Sequence, residues 1–190
     1  MLYKIRPYVT KDILKLLFNT LIYPHLTYGI EIWGSASNSH LNKVLIAQKR
    51  LVRMITHKDI RQANYFLTHS NPLFHQLGIL KIHDVHTLSL SKFVYKTLEG
   101  SVPSNFSNWF RFATQIHCYR TRANFNYSTR SQTNILYVPH ARTTHYGLNK
   151  TKVQGPRIWN NIPQNIRDKK SIIQFVSSLR SNLFGKYIHQ

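Results

Sequence analysis

LNKVLIAQKRLVRMIT, residues 41–56, is the stretch that decides the fold. Leu41, Val44, Leu45, Leu51, Val52 and Ile55 recur at three- and four-residue steps, the spacing that gathers apolar side chains on one side of an α-helix. The opposite side carries Lys43, Lys49, Arg50 and Arg53 and no acid. A helix with one dry face has to pack against something, so the segment predicts a helical core around it and a basic face left toward solvent.

Helical periodicity extends to both sides of this stretch. Upstream, Ile13, Leu14, Leu16, Leu17, Phe18, Leu21 and Ile22 cover well over half the circumference of a helix over Lys11–Tyr23, which predicts burial on several sides. Thr10 fits as its N-cap, and Pro24 is expected to break or kink it. HLTYGIEIWG, residues 25–34, is rich in β-branched and aromatic residues and either continues helically or extends; periodicity does not choose. Gly34 and the SASNS run, residues 35–39, mark a turn. Downstream, residues 57–71 read as a polar loop. A short helix is expected from Pro72 to Leu77, with proline at its first position. A longer helix follows over Lys81–Leu98, with Ile82, Val85, Leu88, Phe93 and Val94 facing inward and Gly100 to Pro103 ending it.

Near residue 111 the sequence turns Arg-, Thr-, Asn- and Tyr-rich and loses its long apolar period. A short strand over Asn134–Val138 is the main regular element expected there. Order returns with a turn at GPRIWNNIP, residues 155–163, and a last helix over Ile172–Phe184. Ser171 and Gln174 fit a capping box there, and Phe175, Val176, Leu179 and Leu183 form one stripe. The expected fold is mainly α. Residues 1–110 form a helical domain, 111–152 a basic segment that is irregular or weakly β, and 153–190 a turn and terminal helix. Tyr119-Arg-Thr-Arg122 and Tyr127-Ser-Thr-Arg130 echo each other, which so Arg- and Thr-rich a stretch produces by chance.

With 190 residues and 42% of them hydrophobic, the chain can bury a core. Its charge is unusual: 26 Lys and Arg against 6 Asp and Glu, a net of +20 that attracts polyanions. Residues 1–58 carry nine bases and two acids, residues 59–110 four and three, and residues 111–190 thirteen and one. Two basic blocks thus flank a nearly neutral middle. Cys118 is the sole cysteine, so neither an internal disulfide nor a zinc finger can form, and a reducing intracellular setting is expected. No run of 18 uncharged apolar residues is present, so no membrane partner is expected. The opening stretch has the composition of a basic presequence but reads better as a core helix, because its apolar residues occupy most faces.

Phosphoryl transfer by a polymerase needs paired carboxylates to hold two metal ions. Asp12, Glu31, Asp59, Asp84, Glu99 and Asp168 are scattered and no two are adjacent, so the chain is expected not to be an enzyme by itself and to hold no cofactor. His83 and His86 stand at helical i, i+3 spacing without a recognisable third ligand, and His117 beside Cys118 lacks a third member that would make a nucleophile. A small-molecule substrate has no motif to hold it. What remains is cationic. The face of Lys43, Lys49, Arg50 and Arg53 is either a solvated helix side or a phosphate-binding one; the absence of any acid between Glu31 and Asp59 sets the second reading level with the first. Residues 111–152 interleave Arg111, Arg120, Arg122, Arg130 and Arg142 with Trp109, Phe112, Tyr119, Phe125, Tyr127 and Tyr137. Such a mixture suits single-stranded nucleic acid, though the aromatics serve equally as core. The expected binding set is Lys43, Lys49, Arg50, Arg53, Arg120, Arg122, Arg130 and Arg142.

Several long blocks resemble a known family. LYKIRPYVTKDILKLLFNTLIYPHLTYGIEIWG (2–34), LNKVLIAQKRLVRMIT (41–56) and NPLFHQLGILKIHDVHTLSLSKFVYK (71–96) are similar to the stretch downstream of the catalytic palm in jockey-like non-LTR retrotransposon reverse transcriptases. YSTR (127–130), VPHARTTHYG (138–147) and QGPRIWNNIPQNIR (154–167) resemble the tail of the same reading frames. The resemblance implies a thumb-like helical bundle followed by a C-terminal extension. It also implies RNA and DNA backbones as partners, with a reverse transcriptase palm as a further one, and a nuclear or cytoplasmic ribonucleoprotein setting. The family's aspartate pair, in a Tyr-x-Asp-Asp context, and the Mg²⁺ it holds have no matching position here, so the chain is expected to be a truncated fragment. A docking module for a separate palm and a relic without function are the alternatives.

Overall fold

The structure is a computed structural model that describes residues 2–56, 69–116, 135–143 and 147–187. It is mainly helical, as the apolar periodicity predicts, and the described residues contain no strand beyond a single antiparallel bridge between Phe112 and Leu136. Of the strand expected over Asn134–Val138, Asn134 lies outside the described residues and the rest forms only that bridge. By compactness the chain divides into two units, residues 1–86 with 181–190, and residues 87–180. Residues 181–190, the end of the last helix and the tail after it, group with the first unit.

The first unit opens with a helical turn, α1 (Leu2–Ile5), and a tighter turn over Arg6–Tyr8. In α2 (Lys11–Leu17) Thr10 sits at the N-cap position in extended conformation but makes no side-chain cap bond. A wide π-turn follows over Phe18–Ile22, where the Tyr23 N–H reaches back five residues to the Phe18 carbonyl. The shift in register comes just before Pro24, which has no N–H to give. The proline is thereby absorbed into the first turn of α3 (Tyr23–Thr27), and the chain bends only afterwards, at Tyr28 and Gly29, before α4 (Ile30–Trp33). The ambiguous residues 25–34 are therefore helical on both sides of a bend.

The upstream apolar helix is less buried than its composition predicts. Leu14 and Phe18 are buried, but Ile13, Leu16 and Leu21 are 44%, 59% and 47% exposed. The unit supplies one packing surface for this helix where the apolar count implied several.

The deciding segment is helical from Asn38 to Thr56 (α5), three residues longer at its start than the apolar pattern shows. Leu41, Val52 and Ile55 are buried, and α5 packs against α2 and α6 (Ser70–Leu77). α6 begins two residues before Pro72, and His69 caps it by accepting from the Asn71 N–H. Ser70 and Asn71, expected in a loop, are buried in its first turn. Gly78 adopts φ 66° and closes α6: its N–H bonds to the His75 carbonyl and the Ile79 N–H to that of Phe74, the double closure only a left-handed residue allows.

α7 (Ile82–Leu98) starts in the first unit and continues into the second, and Gly100 closes it in the same way, with φ 74°. Ile82, Val85 and Val94 face inward as predicted, while Leu88 and Phe93 are half-buried and Leu90 and Tyr95 are fully within the core. After a turn over Ser104–Phe106 and α8 (Ala113–Ile116), the chain reaches α9 (Thr151–Asn160). The expected turn at GPRIWNNIP is mostly helix, with Pro156 inside it. Gly155 explains why: a Cβ there would lie 2.7 Å from the Phe110 ring and 3.1 Å from Val94, so glycine lets the helix press close to the core. α10 (Gln164–Arg167) and α11 (Ile172–Gly185) complete the chain. In the second unit Tyr95 stacks on Phe175 with ring centroids 4.8 Å apart, Trp159 lies 5.6 Å from Phe175, and the Tyr95 hydroxyl donates to the Lys169 carbonyl at 2.9 Å.

Candidate nucleic-acid interface

α5 carries the basic face into three dimensions because its core side is fixed at several points. Gln48 lies among the buried apolar residues with 1% exposure. Its Nε2 donates to the Leu80 carbonyl at 2.7 Å, and its Oε1 accepts from the Ile82 N–H at 3.0 Å, so one amide clamps the link between α6 and α7 onto α5. With that side held inward, Lys43, Lys49, Arg50 and Arg53 fall within about a third of the helix circumference on the other side. Lys43 and Arg50 are exposed, while Lys49 and Arg53 are half-buried and Arg53 has interactions of its own. Ile46, 50% exposed, stands in the middle of the cations.

Lys81 adds a basic residue that the linear pattern did not single out. Burial lowers the pKa of its ammonium from the ordinary lysine value; Asp84 opposes that shift and the positive charge of Lys49 adds to it. Lys49 and Lys81 are therefore electrostatic neighbours although 32 positions separate them. The neighbourhood of Lys81 is pinned by Tyr187. The Tyr187 hydroxyl accepts from the Lys81 backbone N–H at 3.0 Å and donates to the Asp84 carboxylate in a short hydrogen bond. The Lys81 ammonium lies 4.5 Å from the centre of the Tyr187 ring. Burial and the Asp84 charge push the Tyr187 hydroxyl far above its usual pKa, so it stays protonated. Tyr187 thus ties the end of α11 to the α6–α7 corner beside the basic face.

The arginine-rich set is only partly placed. Arg120, Arg122 and Arg130 lie outside the described residues, as do Tyr119, Phe125, Tyr127, His117 and Cys118. Arg142 is exposed in the second unit and Lys43, Lys49, Arg50 and Arg53 belong to the first, so the described set is not gathered on one element. The described aromatics of the same stretch are half-buried. Trp109 packs edge-on to Phe106 at 4.9 Å and to Phe93 at 6.2 Å, and Phe112 takes part in the bridge to Leu136. Asn160 completes that bridge: its side chain donates to the Leu136 carbonyl and accepts from the Leu136 N–H, both at 2.9 Å, standing in for a strand partner. These groups hold the second unit together.

The histidines at i, i+3 spacing have different surroundings. His86 is 9% exposed against Gly34, and its Nε2 has no hydrogen-bond partner among the described residues. Burial, and then the neighbouring His83, push its pKa below the ordinary histidine value, so it is held neutral. Among the described residues no three His, Cys, Asp or Glu side chains converge as metal ligands, and no helix is long and apolar enough to cross a membrane.

The fold and this face define a mainly α-helical protein with an acid-free basic helix. No protein-family model, curated protein or solved structure matches the chain.

Proposed function

We propose that the protein binds nucleic-acid backbone, RNA or an RNA–DNA duplex, through phosphate contacts on α5, as part of the post-palm region of a jockey-like reverse transcriptase and without polymerase activity of its own. The observation that carries this reading is the face of α5: Lys43 and Arg50 exposed, Lys49 and Arg53 beside them, and not one acid along the helix. An ordinary solvated helix mixes signs; a face of one sign in a chain of net +20 raises the local concentration of polyanions. Exposed ammonium and guanidinium groups on a helix surface position a phosphate backbone and read no base, so binding should be nearly indifferent to sequence. Arg120, Arg122, Arg130 and Arg142 are proposed as further contacts to RNA.

The test is a salt titration of a fluorescent RNA–DNA hybrid by anisotropy. Log K should fall linearly with log salt by about 0.7–0.9 per neutralised phosphate. Flat, salt-independent binding, or none to any nucleic acid, removes the proposal. Primer extension in Mg²⁺ by the purified chain should give no product.

A second reading, docking on a separate polymerase palm, gains support from the exposed apolar residues Ile13, Leu16 and Leu21 around α2. Singly exposed apolar side chains are ordinary, but three along one short helical stretch form a patch that a protein partner would cover. Capture of a palm polypeptide that persists after nuclease treatment would favour this reading.

A further inference from the structure

Within the second unit, α7 and α11 enclose an open groove of about 530 Å³. Lys92 and Lys96 from α7 and Ile172, Ile173, Val176, Ser177 and Arg180 from α11 line it, and no acid does. Lys92 and Arg180 are exposed, and Ile173, a large apolar side chain in the same lining, is 78% exposed. The lining positions form helical rows. Lys92 and Lys96 are one turn apart on α7, and 172, 176 and 180 follow at four-residue steps on α11, so the groove runs along the helices for about 12 Å at ~1.5 Å per residue.

We propose that this groove is a docking site for an acidic amphipathic helix of a partner protein. Two turns of helix match its length, apolar side chains at i and i+3 or i+4 would cover Ile172, Ile173 and Val176, and flanking carboxylates would meet Lys92, Lys96 and Arg180. The lining excludes two other occupants. A nucleic-acid strand offers phosphates to the cations but nothing to cover the aliphatic side chains, and no aromatic plane lines the groove for a base to stack on. A second copy fails on charge: the nearest two acids of this chain, Asp84 and Glu99, are too far apart in sequence to share two helical turns. The occupant is therefore a different, acidic chain, and this site is independent of the nucleic-acid reading of α5.

The experiment uses the full chain and a fluorescent 16-residue helical probe with Leu at i, i+3, i+4 and i+7, Glu at the positions flanking them and Ala elsewhere. Wild type should bind it, and K92E/K96E and I173D should each weaken binding about tenfold or more, with thermal melts to check that both fold, since Lys92 and Ile173 are exposed and Lys96 is half-buried. K43A/R50A should bind the probe as wild type. Either groove variant binding the probe like wild type overturns the proposal. So does equal affinity for a probe with Ser in place of Leu, which would reduce the attraction to bulk charge. A single-stranded RNA that displaces the probe from wild type, and whose own binding K92E/K96E abolishes, would make the groove a nucleic-acid site and refute it.

Discussion

Gln48 and His86 show how single polar groups inside a core set the conditions under which a protein stays folded. The Gln48 amide bonds both the Leu80 carbonyl and the Ile82 N–H at a buried corner. Gln48→Leu keeps the volume but strands a donor and an acceptor, and urea unfolding should register a loss of about 2–4 kcal/mol. Gln48→Glu is a useful companion, because the carboxylate keeps the acceptor and loses the donor. His86 works through protonation. Its pKa is lower in the fold than the ordinary value of 6.5, so the unfolded chain takes up the proton first as pH falls. The stability contributed by neutral His86 is complete above 6.5 and is lost as pH drops below it, levelling off once the folded form also titrates. Thermal melts across this range should fall more steeply for wild type than for His86→Met, and parallel curves would show that His86 is not the group responsible.

Among the elements, α9 and α5 make opposite demands on their side chains. α9 needs the absence of one. A methyl group at position 155 would meet the Phe110 ring at 2.7 Å, so Gly155→Ala should cost about 1–3 kcal/mol despite the better helix propensity of alanine. A gain in melting temperature would mean that Phe110 can move aside. α5 needs the presence of charge. If Lys43 and Arg50 each hold a phosphate, K43A/R50A should reduce the salt slope of hybrid binding by about 1.4–1.8 and leave the unfolding free energy nearly unchanged, since both residues are exposed. An unaltered slope would assign the phosphate contacts to other bases.

α5 was the most legible element, and its limits are instructive. Its apolar spacing predicted the helix and placed Leu41, Val52 and Ile55 in the core, but apolarity cannot mark Asn38, Ser39 and His40 as helical. The same cue overstated α2, where Ile13, Leu16 and Leu21 remain in water. Periodicity states which residues share a face. It does not state how many faces find a partner. The turn expected at GPRIWNNIP failed for a related reason: Gly and Pro usually interrupt a helix, and here a tertiary contact with Phe110 requires the glycine.

For the whole molecule, the net charge of +20 acts on folding and on binding with opposite sign. Self-repulsion opposes compaction, and salt screens it over a Debye length that shrinks from roughly 14 Å at 0.05 M to about 4 Å at 0.5 M. The melting temperature should therefore rise over that range while affinity for the RNA–DNA hybrid falls. Were both to fall together, the stability would rest on ion pairs rather than suffer from repulsion.

By itself the sequence determined the mainly α class, the buried positions Leu41, Val52 and Ile55 of α5 and Ile82, Val85 and Val94 of α7, the stop at Gly100, and the basic face of Lys43, Lys49, Arg50 and Arg53. All of these follow from residues three to seven apart, where helix geometry alone fixes which side chains are neighbours. Only the tertiary structure decided what joins distant parts of the chain. Gln48 reaches across 32 positions to Leu80, Asn160 across 24 to Leu136, Tyr95 across 74 to Lys169 and Tyr187 across 106 to Lys81. The groove between α7 and α11 belongs to this second group, because Lys92 and Arg180 are written far apart and meet only where two helices pack. A polar side chain has the same local signature whether it is solvated or clamped in a core, and burial, which separates the two, is a property of the fold.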